Sequence, residues 1–359
     1  MSRNKRIILI SSSTGGHAIP VFELYKELKI KGFDPVVFNS GSSIEKKIFA
    51  NCKKYKIVAG KLHRRLCFAN LIEGLKIFVG LIQSFFLLIL FRPKLVFSKG
   101  GFCAIPVLTV AKLLLIPIFI HESDSVIGLS NKLFMNKAKR FFLSFPMDSY
   151  SEKLPKNSFY SGLIVRKDFS AKKIKSNNSQ KPVIFFTGGS QGASIINNVV
   201  FEILPSMLSK YSVIHQVGIH DFDKALEVSQ KINSDKNYDF FDFSLEKGEK
   251  AFESSDLIIC RAGANTLGEL SVLSKASILI PYRYAASDHQ LKNARFFERL
   301  NAAILIREEN LSSKSLMDRI EYLLSDKKNL DTLGKNCSKA IKNDGLSAIA
   351  NEIANYSEA

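Results

Sequence analysis

Four short stretches, three of them turning on glycine, hold the residues of this chain whose types and spacing could do chemistry. The first is Ser13-Thr14-Gly15-Gly16-His17. It follows the apolar tetrad Ile7–Ile10 and precedes a helical pattern, so its amides and the helix dipole can face an anion. His17 sits at the helix mouth, where the positive end disfavours imidazolium and keeps the ring neutral near pH 7. A neutral imidazole can act as a general base; the alternative is a ring that caps the turn or donates to a ligand. The second stretch is Gly188-Gly189-Ser190-Gln191-Gly192-Ala193. Glycine lets a backbone approach phosphate and Ser190 adds a hydroxyl, or else this is a tight turn with no ligand. The first stretch lacks the third glycine and the distal acid of a dinucleotide fingerprint, and the second lacks the Lys and Thr of a Walker A loop.

The third stretch is Arg261-Ala262-Gly263-Ala264-Asn265-Thr266, with Glu269 one or two helical turns inside. A carboxylate there can accept both hydroxyls of a ribose or simply satisfy the helix dipole. The fourth runs Ala285-Ala286-Ser287-Asp288-His289-Gln290, then Asn293. Amides and carboxylates on a helix start suit sugar hydroxyls because they donate and accept; the bland reading makes Asp288 an N-cap and the rest a solvated face. Between these lie Lys99-Gly100-Gly101-Phe102 and His121-Glu122-Ser123-Asp124, with Asn131 and Lys132 following. His121 reads as a satisfied buried histidine, and His63, His215 and His220 have no motif around them.

These turns need strands to carry them. Strands are expected at Ile7–Ile10, Val36–Asn39, Leu95–Ser98, Ile118–His121 and Arg140–Leu143, with a helix at Pro20–Lys31. The polar stretch 166–181 reads as a linker, after which the pattern restarts. Strands are expected at Pro182–Thr187, Val213–Gln216, Leu257–Cys260 and Ser277–Ile280, with a helix at Ala193–Leu208. Such alternation predicts two doubly wound parallel α/β domains, 1–165 and 182–339, with ligands beyond the carboxyl ends of the strands and a cleft between the domains.

Composition narrows the rest. Of 359 residues, 46% are hydrophobic and 23% charged, which is ordinary globular stock. Phe is abundant at 28 and Trp absent, so the core is built from Phe, Leu and Ile. Five cysteines without CxxC spacing argue against zinc and for a reducing compartment. The apolar run Ile7–Ile10 is too short for a signal-peptide core. Residues 1–165 hold 25 basic and 9 acidic residues, whereas 166–359 hold 26 and 24, so nearly all of the +18 excess sits in the first half. That asymmetry implies a polyanionic partner: nucleic acid, anionic lipid or a phosphorylated substrate. The segment 71–91 is the longest apolar stretch. Its uninterrupted part, Ile77–Phe91, is shorter than the ~20 residues of a span, so it reads as a helix with one greasy face. Either it packs between the domains or it dips into a bilayer with Ile77, Phe78, Phe85, Leu87, Leu88 and Phe91. Lys53, Lys54, Lys56, Lys61, Arg64, Arg65, Arg92 and Lys94 flank it, which favours the bilayer surface.

Taken together, the ordered set TGGHAIP (14–20), SKGGFCAIP (98–106), HESDSVIGLSNK (121–132), FTGGSQGASIIN (186–197), HQVG (215–218), CRAGANTLGEL (260–270) and PYRYAASDHQLKNA (281–294) resembles the MurG family of glycosyltransferase family 28. The resemblance spans about five-sixths of the chain. It implies a GT-B fold of two Rossmann-like domains and a closing helix, within 340–359, that crosses back to the first domain. It implies UDP-N-acetylglucosamine as donor, undecaprenyl-pyrophosphoryl-N-acetylmuramoyl-pentapeptide as acceptor, and a peripheral position on the cytoplasmic face of the membrane. By that likeness the donor would meet Gly189, Ser190, Gln191 and Gly192 at its diphosphate, and Glu269 at its ribose. Gln290 and Asn293 would read the sugar. Thr14, Gly15, Gly16, Asp124, Arg166, Gly263, Ala264, Asn265 and Thr266 complete the donor set. Gly100, Gly101, Asn131 and Lys132 would face the acceptor. Two departures stand out. Ser123-Asp124 replaces the usual Gln-Asn, and Gly162-Leu163-Ile164-Val165-Arg166 replaces Gly-Asn-Pro-Val-Arg, keeping the Arg and losing the rigid Pro.

The implied reaction is an inverting displacement. His17 removes the proton from the acceptor C4 hydroxyl and UDP leaves, stabilised by helix N-termini and backbone amides. No DxD-like pair lies on the donor side, so no metal and no cofactor are expected, and nucleic acid is not an expected partner. The rivals are a glycolipid synthase acting on diacylglycerol, a UDP-N-acetylglucosamine 2-epimerase with a soluble substrate, and a silent sugar-nucleotide binder that would not require His17.

Overall fold

The computed structural model describes residues 5–61, 69–169, 181–189, 191–232 and 237–358. The chain forms two compact units, Met1–Arg166 with Lys342–Ala359, and Lys167–Ile341.

The first unit alternates strands and helices: β1 (Arg6–Ile10), α1 (Gly15–Ile30), β2 (Asp34–Asn39), α2 (Ser43–Ile48), β3 (Lys54–Lys56), α3 (Ala69–Phe91), β4 (Leu95–Ser98), α4 (Ala104–Leu113), β5 (Ile118–Glu122), α5 (Leu129–Phe134), β6 (Arg140–Leu143) and β7 (Ser158–Tyr160). Its seven strands pair in the order β3-β2-β1-β4-β5-β6-β7, every pair parallel. Helices cover both faces, so the central strands are apolar throughout: Ile7, Ile8, Leu9 and Ile10 are all fully buried. The strand order reverses between β1 and β4. Ligands in such sheets bind beyond the carboxyl ends at that switch point, here the turns after Ile10 and Ser98.

The second unit repeats the plan: β8 (Val183–Thr187), α6 (Ser194–Met207), β9 (Ser212–Gln216), α7 (Phe222–Lys231), β10 (Tyr238–Phe241), α8 (Leu245–Ser254), β11 (Leu257–Cys260), α9 (Ala264–Val272), β12 (Ala276–Leu279), α10 (His289–Arg299), β13 (Ile304–Leu305), α11 (Ser313–Ser325) and α12 (Lys327–Ala340). Six parallel strands run β10-β9-β8-β11-β12-β13, with the reversal between β8 and β11. The turns after Thr187 and Cys260 are therefore the switch-point turns of this unit.

The last helix, α13 (Gly345–Glu358), belongs to the first unit. Leu346, Ile349, Ala350 and Ile353 join the core of Ile7, Leu24, Phe119 and Ile164. The Arg140 guanidinium pairs with Glu352 at 2.5 Å, and the Tyr356 ring packs edge-on against Phe119. Burying Leu346, Ile349 and Ile353 contributes about 1.5–3 kcal/mol each.

Some boundaries differ from the sequence reading. The linker is expected from 166, yet Arg166 is buried in the first unit and Phe169 is buried against Phe252 in the second. The remainder of that stretch, 170–180, lies outside the described residues, as do His63, Arg64, Arg65 and Cys67. Helix α3 is 23 residues long, and Leu71–Phe91 is long and apolar enough to cross a membrane. Its period places Gly80, Ser84, Leu88 and Phe91 on one buried stripe. Gln83 accepts from the Val58 amide at 2.9 Å and donates to the Lys56 carbonyl at 2.6 Å, fastening the helix to the loop beside it. Of the six side chains assigned to a bilayer, Leu88 and Phe91 are thus core residues, the Phe91 ring packing tilted against Phe38 and edge-on against Tyr55. Ile77 and Leu87 are half-buried, and only Phe78 and Phe85 are exposed. The helix is not buried packing either: ten large apolar side chains between Leu71 and Leu90 are exposed, Phe86 at 65% and Leu90 at 69%.

Candidate active site

In the first unit the turn after β1 is held by a buried carboxylate. Glu45 of α2 accepts from the Ser11 hydroxyl at 2.8 Å, the Ser40 hydroxyl at 2.6 Å and the Ser42 amide at 3.2 Å. The Ser13 amide donates to Ser40 Oγ and its carbonyl accepts from Ser42 Oγ. This brace holds Ser13 in the left-handed region, φ 26°. Helix α1 then starts at Gly15, five residues before the expected Pro20, so His17 lies in its first turn. Gly101 closes the other side. A Cβ there would sit 2.4 Å from Ser12 Cβ and 3.7 Å from His17 Nε2.

His17 is neutral, but chiefly for a different reason than the helix dipole. Burial first and the Lys99 ammonium second lower its pKa to about 4, against opposing pulls from Asp124, a hydrogen bond to the Lys99 backbone and Glu45. Its ring is half-buried, and Nδ1 has no hydrogen-bond partner among the described residues.

Beside it lies a dense polar cluster. Lys99 donates to His121 Nδ1 at 3.0 Å and to Ser123 Oγ. His121 therefore carries its proton on Nε2, shared between the Gly162 carbonyl and Ser144 Oγ, which itself donates to the Glu122 carbonyl. This histidine is fully buried and satisfied. Glu122 accepts from the amides of Asp124 and Gly128 and from Asn131 Nδ2. Burial and Asp124 push its carboxyl up to about 7, while burial pulls Lys99 down to about 8. Asn131 is buried and presses on Gly100, where a Cβ would lie 2.9 Å from Asn131 Oδ1. Lys132 is on the rim, paired with Glu152 at 2.7 Å. Thr14 and Gly16 are exposed and Gly15 is buried.

In the second unit, Gly189 and Gly192 adopt φ 79° and 77°, which lets the turn after β8 fold back so that the Gly192 amide donates to the Gly189 carbonyl at 3.0 Å. A Cβ on Gly192 would meet the Val217 carbonyl at 2.5 Å, so this turn lies directly on the turn after β9. Thr187 Oγ1 accepts from the Gly189 amide and donates to Gln216 Oε1. Asn197 donates to the Val217 carbonyl and accepts from His215, whose other nitrogen accepts from the Tyr238 hydroxyl. His215 is thus a buried strut of the glycine turn. Gln191 is exposed, and Ser190 lies outside the described residues.

The turn after β11 is Arg261–Gly263, with Gly263 as N-cap of α9. The first amides of that helix, from Ala264, Asn265 and Thr266, have no intrahelical acceptor. Glu269 is half-buried further along. Arg261 donates to the Ile280 carbonyl at 3.0 Å and pairs with buried Glu308 at 2.5 Å, and Glu308 also accepts from the Arg283 amide. One carboxylate therefore ties the turn after β11 to the loop after β12. That loop enters α10 through two left-handed residues, Ser287 (φ 55°) and Asp288 (φ 54°), a strained backbone of the kind found at ligand sites. Asp288 makes no side-chain cap. Gln290 accepts from the Tyr282 amide at 2.9 Å. Asn293 is fully buried and donates to the Ala262 carbonyl, which braces the turn after β11 from beneath.

The cluster that the sequence reading assigned to a base thus comes together, and so do the turns assigned to a donor, each within its own unit. Lys99, Glu45 and Glu308 carry more of the geometry than their motifs suggest. The only local signal for Glu45 is the Ser42-x-x-Glu45 capping-box spacing, and Glu308 has none.

Comparison with known proteins agrees with this division. Residues 7–143 match the glycosyltransferase family 28 N-terminal domain and 183–349 the family 28 C-terminal domain. A chain from Clostridium botulinum named UDP-N-acetylglucosamine–N-acetylmuramyl-(pentapeptide) pyrophosphoryl-undecaprenol N-acetylglucosamine transferase is 32% identical over 99% of this chain and 100% of its own length. One of the same name from Geobacillus thermodenitrificans is 34% identical over 98% and 99%. The crystal structure of Acinetobacter baumannii MurG superposes with a TM-score of 0.75 at 23% identity, covering 98% of this chain and 99% of that one, and shares the fold.

Proposed function

The chain belongs to glycosyltransferase family 28, and from that premise we propose that it transfers N-acetylglucosamine from UDP-N-acetylglucosamine to the C4 hydroxyl of undecaprenyl-pyrophosphoryl-N-acetylmuramoyl-pentapeptide. The observation that carries this reading is full-length identity above 30% to chains named for that transfer.

The mechanism is one inverting displacement. His17 accepts the C4 hydroxyl proton as the oxygen attacks the donor's anomeric carbon, and UDP departs. The carbon–oxygen bond to UDP breaks as the glycosidic bond forms. A base held near pKa 4 is neutral at working pH and ready to accept. Charge on the departing diphosphate is met by the amides of the Gly188–Gly192 turn and the N-terminus of α9. Glu269 takes the ribose hydroxyls, and Gln290 takes the sugar after releasing the Tyr282 amide. Gly100, Gly101 and the α1 N-terminus face the lipid diphosphate.

The acceptor is a membrane lipid, and helix α3 supplies the means of reaching it. Leu113 and Leu115, at and just past the end of α4, which packs on α3, are exposed as well, and Lys53, Lys56 and Lys76 lie before or within α3 in the sequence. Apolar insertion with attraction to anionic headgroups gives reversible docking on the cytoplasmic leaflet. Because one stripe of α3 is core, it lies along the surface of the bilayer instead of spanning it.

The test is incubation of labelled UDP-N-acetylglucosamine with the muramoyl-pentapeptide lipid and, separately, with diacylglycerol. A lipid-linked disaccharide and UDP release are expected with the first alone. Transfer to diacylglycerol, or no transfer at all, rejects the reading.

A further inference from the structure

The turn after β8 is held by two buried side chains that face each other across neighbouring strands. Thr187 ends β8 and Gln216 ends β9, and the two are direct partners in the parallel register. Both are nearly covered, at 4% and 5% exposure. Packing alone would be served by apolar residues there, because a buried hydroxyl or amide is costly unless it is hydrogen-bonded. Here both are. The Thr187 hydroxyl donates to Gln216 Oε1 at 2.9 Å, which leaves its oxygen free to accept the Gly189 amide at 3.0 Å. The other arm of Gln216 returns to the same residue: Nε2 donates to the Gly189 carbonyl, over a long 3.5 Å. That carbonyl also accepts from the Gly192 amide at 3.0 Å.

The N–H and the C=O of one glycine are thus gripped by one pair of side chains. Gly189 is left-handed, φ 79°, and nothing among the described residues lies within 4 Å of where its Cβ would stand. Glycine is needed there for its backbone, and the outer side of the turn is open. The grip spends the Gly189 and Gly192 amides inside the turn. Those of Ser194 and Ile195, the first residues of α6, have no acceptor within the helix and are left to meet an anion.

We propose that Thr187 and Gln216 are positioning residues for the donor diphosphate, setting the Gly189 peptide so that the turn and the first α6 amides present themselves to the phosphates. The proposal rests on the donor reading above, in which the diphosphate lies on this turn. Neither side chain meets the phosphates itself; each acts through Gly189. The pair works as one device, so removing either half releases the same peptide. Direction matters as well. A carboxylate in place of the Gln216 amide would still accept from Thr187, but it would set a charged oxygen against the Gly189 carbonyl beneath the phosphates.

The test is calorimetric binding of UDP, with uridine as control, to the full chain carrying Gln216→Leu, Thr187→Val, the two together, Thr187→Ser or Gln216→Glu. UDP affinity is expected to fall about tenfold in Gln216→Leu and in Thr187→Val, and little further in the double variant, since all three release the same grip. Uridine, which lacks the diphosphate, is expected to bind each variant as it binds the parent. Thr187→Ser keeps the hydroxyl and should regain most of the affinity lost in Thr187→Val. Gln216→Glu should bind UDP poorly at alkaline pH and gain on the parent as the solution is acidified, when a protonated carboxyl again donates to the Gly189 carbonyl. Should Gln216→Leu fail to fold, the near-isosteric Thr187→Val and Gln216→Glu carry the test. Equal losses for UDP and uridine would reduce the pair to a structural role, and unchanged UDP affinity, or losses that multiply in the double variant, would overturn it. No lipid enters the measurement. A parent that binds UDP yet makes no lipid-linked disaccharide rejects the transfer while the pair is still judged by UDP affinity, and a parent that binds no UDP rejects both.

Discussion

The Lys342 carbonyl occupies the place where a side chain on Gly162 would begin: a Cβ there would lie 2.3 Å from that oxygen. Gly162 holds φ 83°, its neighbour Leu163 donates to the same carbonyl at 3.0 Å, and Gly345 packs against the carbonyls of Gly162 and Leu163. Two glycines far apart in sequence thus weld the end of the chain to the crossover after β7. Gly162→Ala should cost about 1–3 kcal/mol from overpacking, with further strain from the positive φ. Urea unfolding of the variant, with protease cleavage near residue 342 as a second probe, checks it. An unchanged midpoint would show that the contact relaxes freely.

Ile349 is fully buried in the same joint. Ile349→Ala should destabilise the first unit by about 2–5 kcal/mol, and thermal unfolding will report it. Loss below about 0.5 kcal/mol would mean that α13 docks without contributing to the core.

His17→Ala should lower turnover about 10²–10⁴-fold while leaving binding of UDP-N-acetylglucosamine intact. The pH profile adds a sharper expectation. The base works when neutral, and His17 is held near pKa 4, so this group imposes no loss of kcat/KM until pH falls towards 4. An acid limb near 6.5 that vanishes in His17→Gln would contradict the environment described for the ring.

Glu122 makes a separate pH prediction. Its folded pKa is raised from 4.5 to about 7, so its contribution to stability is fully present below 4.5 and is lost as pH rises through 7. Denaturation midpoints compared across that window should therefore fall less steeply in Glu122→Gln than in the parent. A steeper fall would reverse the sign argued here.

Replacing Phe78, Phe86 and Leu90 together with Ser should release the protein from vesicles containing anionic lipid, with at least about tenfold weaker binding and little change in unfolding temperature. Leu88→Ser and Phe91→Ser should instead destabilise the fold, since both side chains are core. Sedimentation with vesicles of phosphatidylglycerol and phosphatidylcholine separates the two outcomes. Unchanged pelleting of the triple variant would remove α3 from any role at the membrane.

Much of this geometry is legible in the sequence where burial is complete. Leu95–Ser98, Arg140–Leu143 and Leu257–Cys260 are strands with the expected limits, because strands covered on both faces read as unbroken apolar runs between turns. The edge strands Lys54–Lys56, Ser158–Tyr160 and Ile304–Leu305 carry no such signal, the first two being short and partly polar and the third only two residues long. The start of α1 was hidden by Pro20, whose usual place in a first turn points five residues too late. Within the site, glycine turns announce themselves through their spacing. Glu45 and Glu308 do not, since each acts on a loop distant in sequence that only the folded backbone brings within reach. Asn293 adds a tie of the same kind, its amide donating to the Ala262 carbonyl of a turn distant in sequence.

The first unit is discontinuous, with its closing helix encoded after the whole of the second. During synthesis on the ribosome, residues 167–341 can therefore complete their own core while the earlier half still waits for Leu346, Ile349 and Ile353 to emerge. The unit that carries the exposed apolar α3 surface thus completes its core after the unit encoded within it.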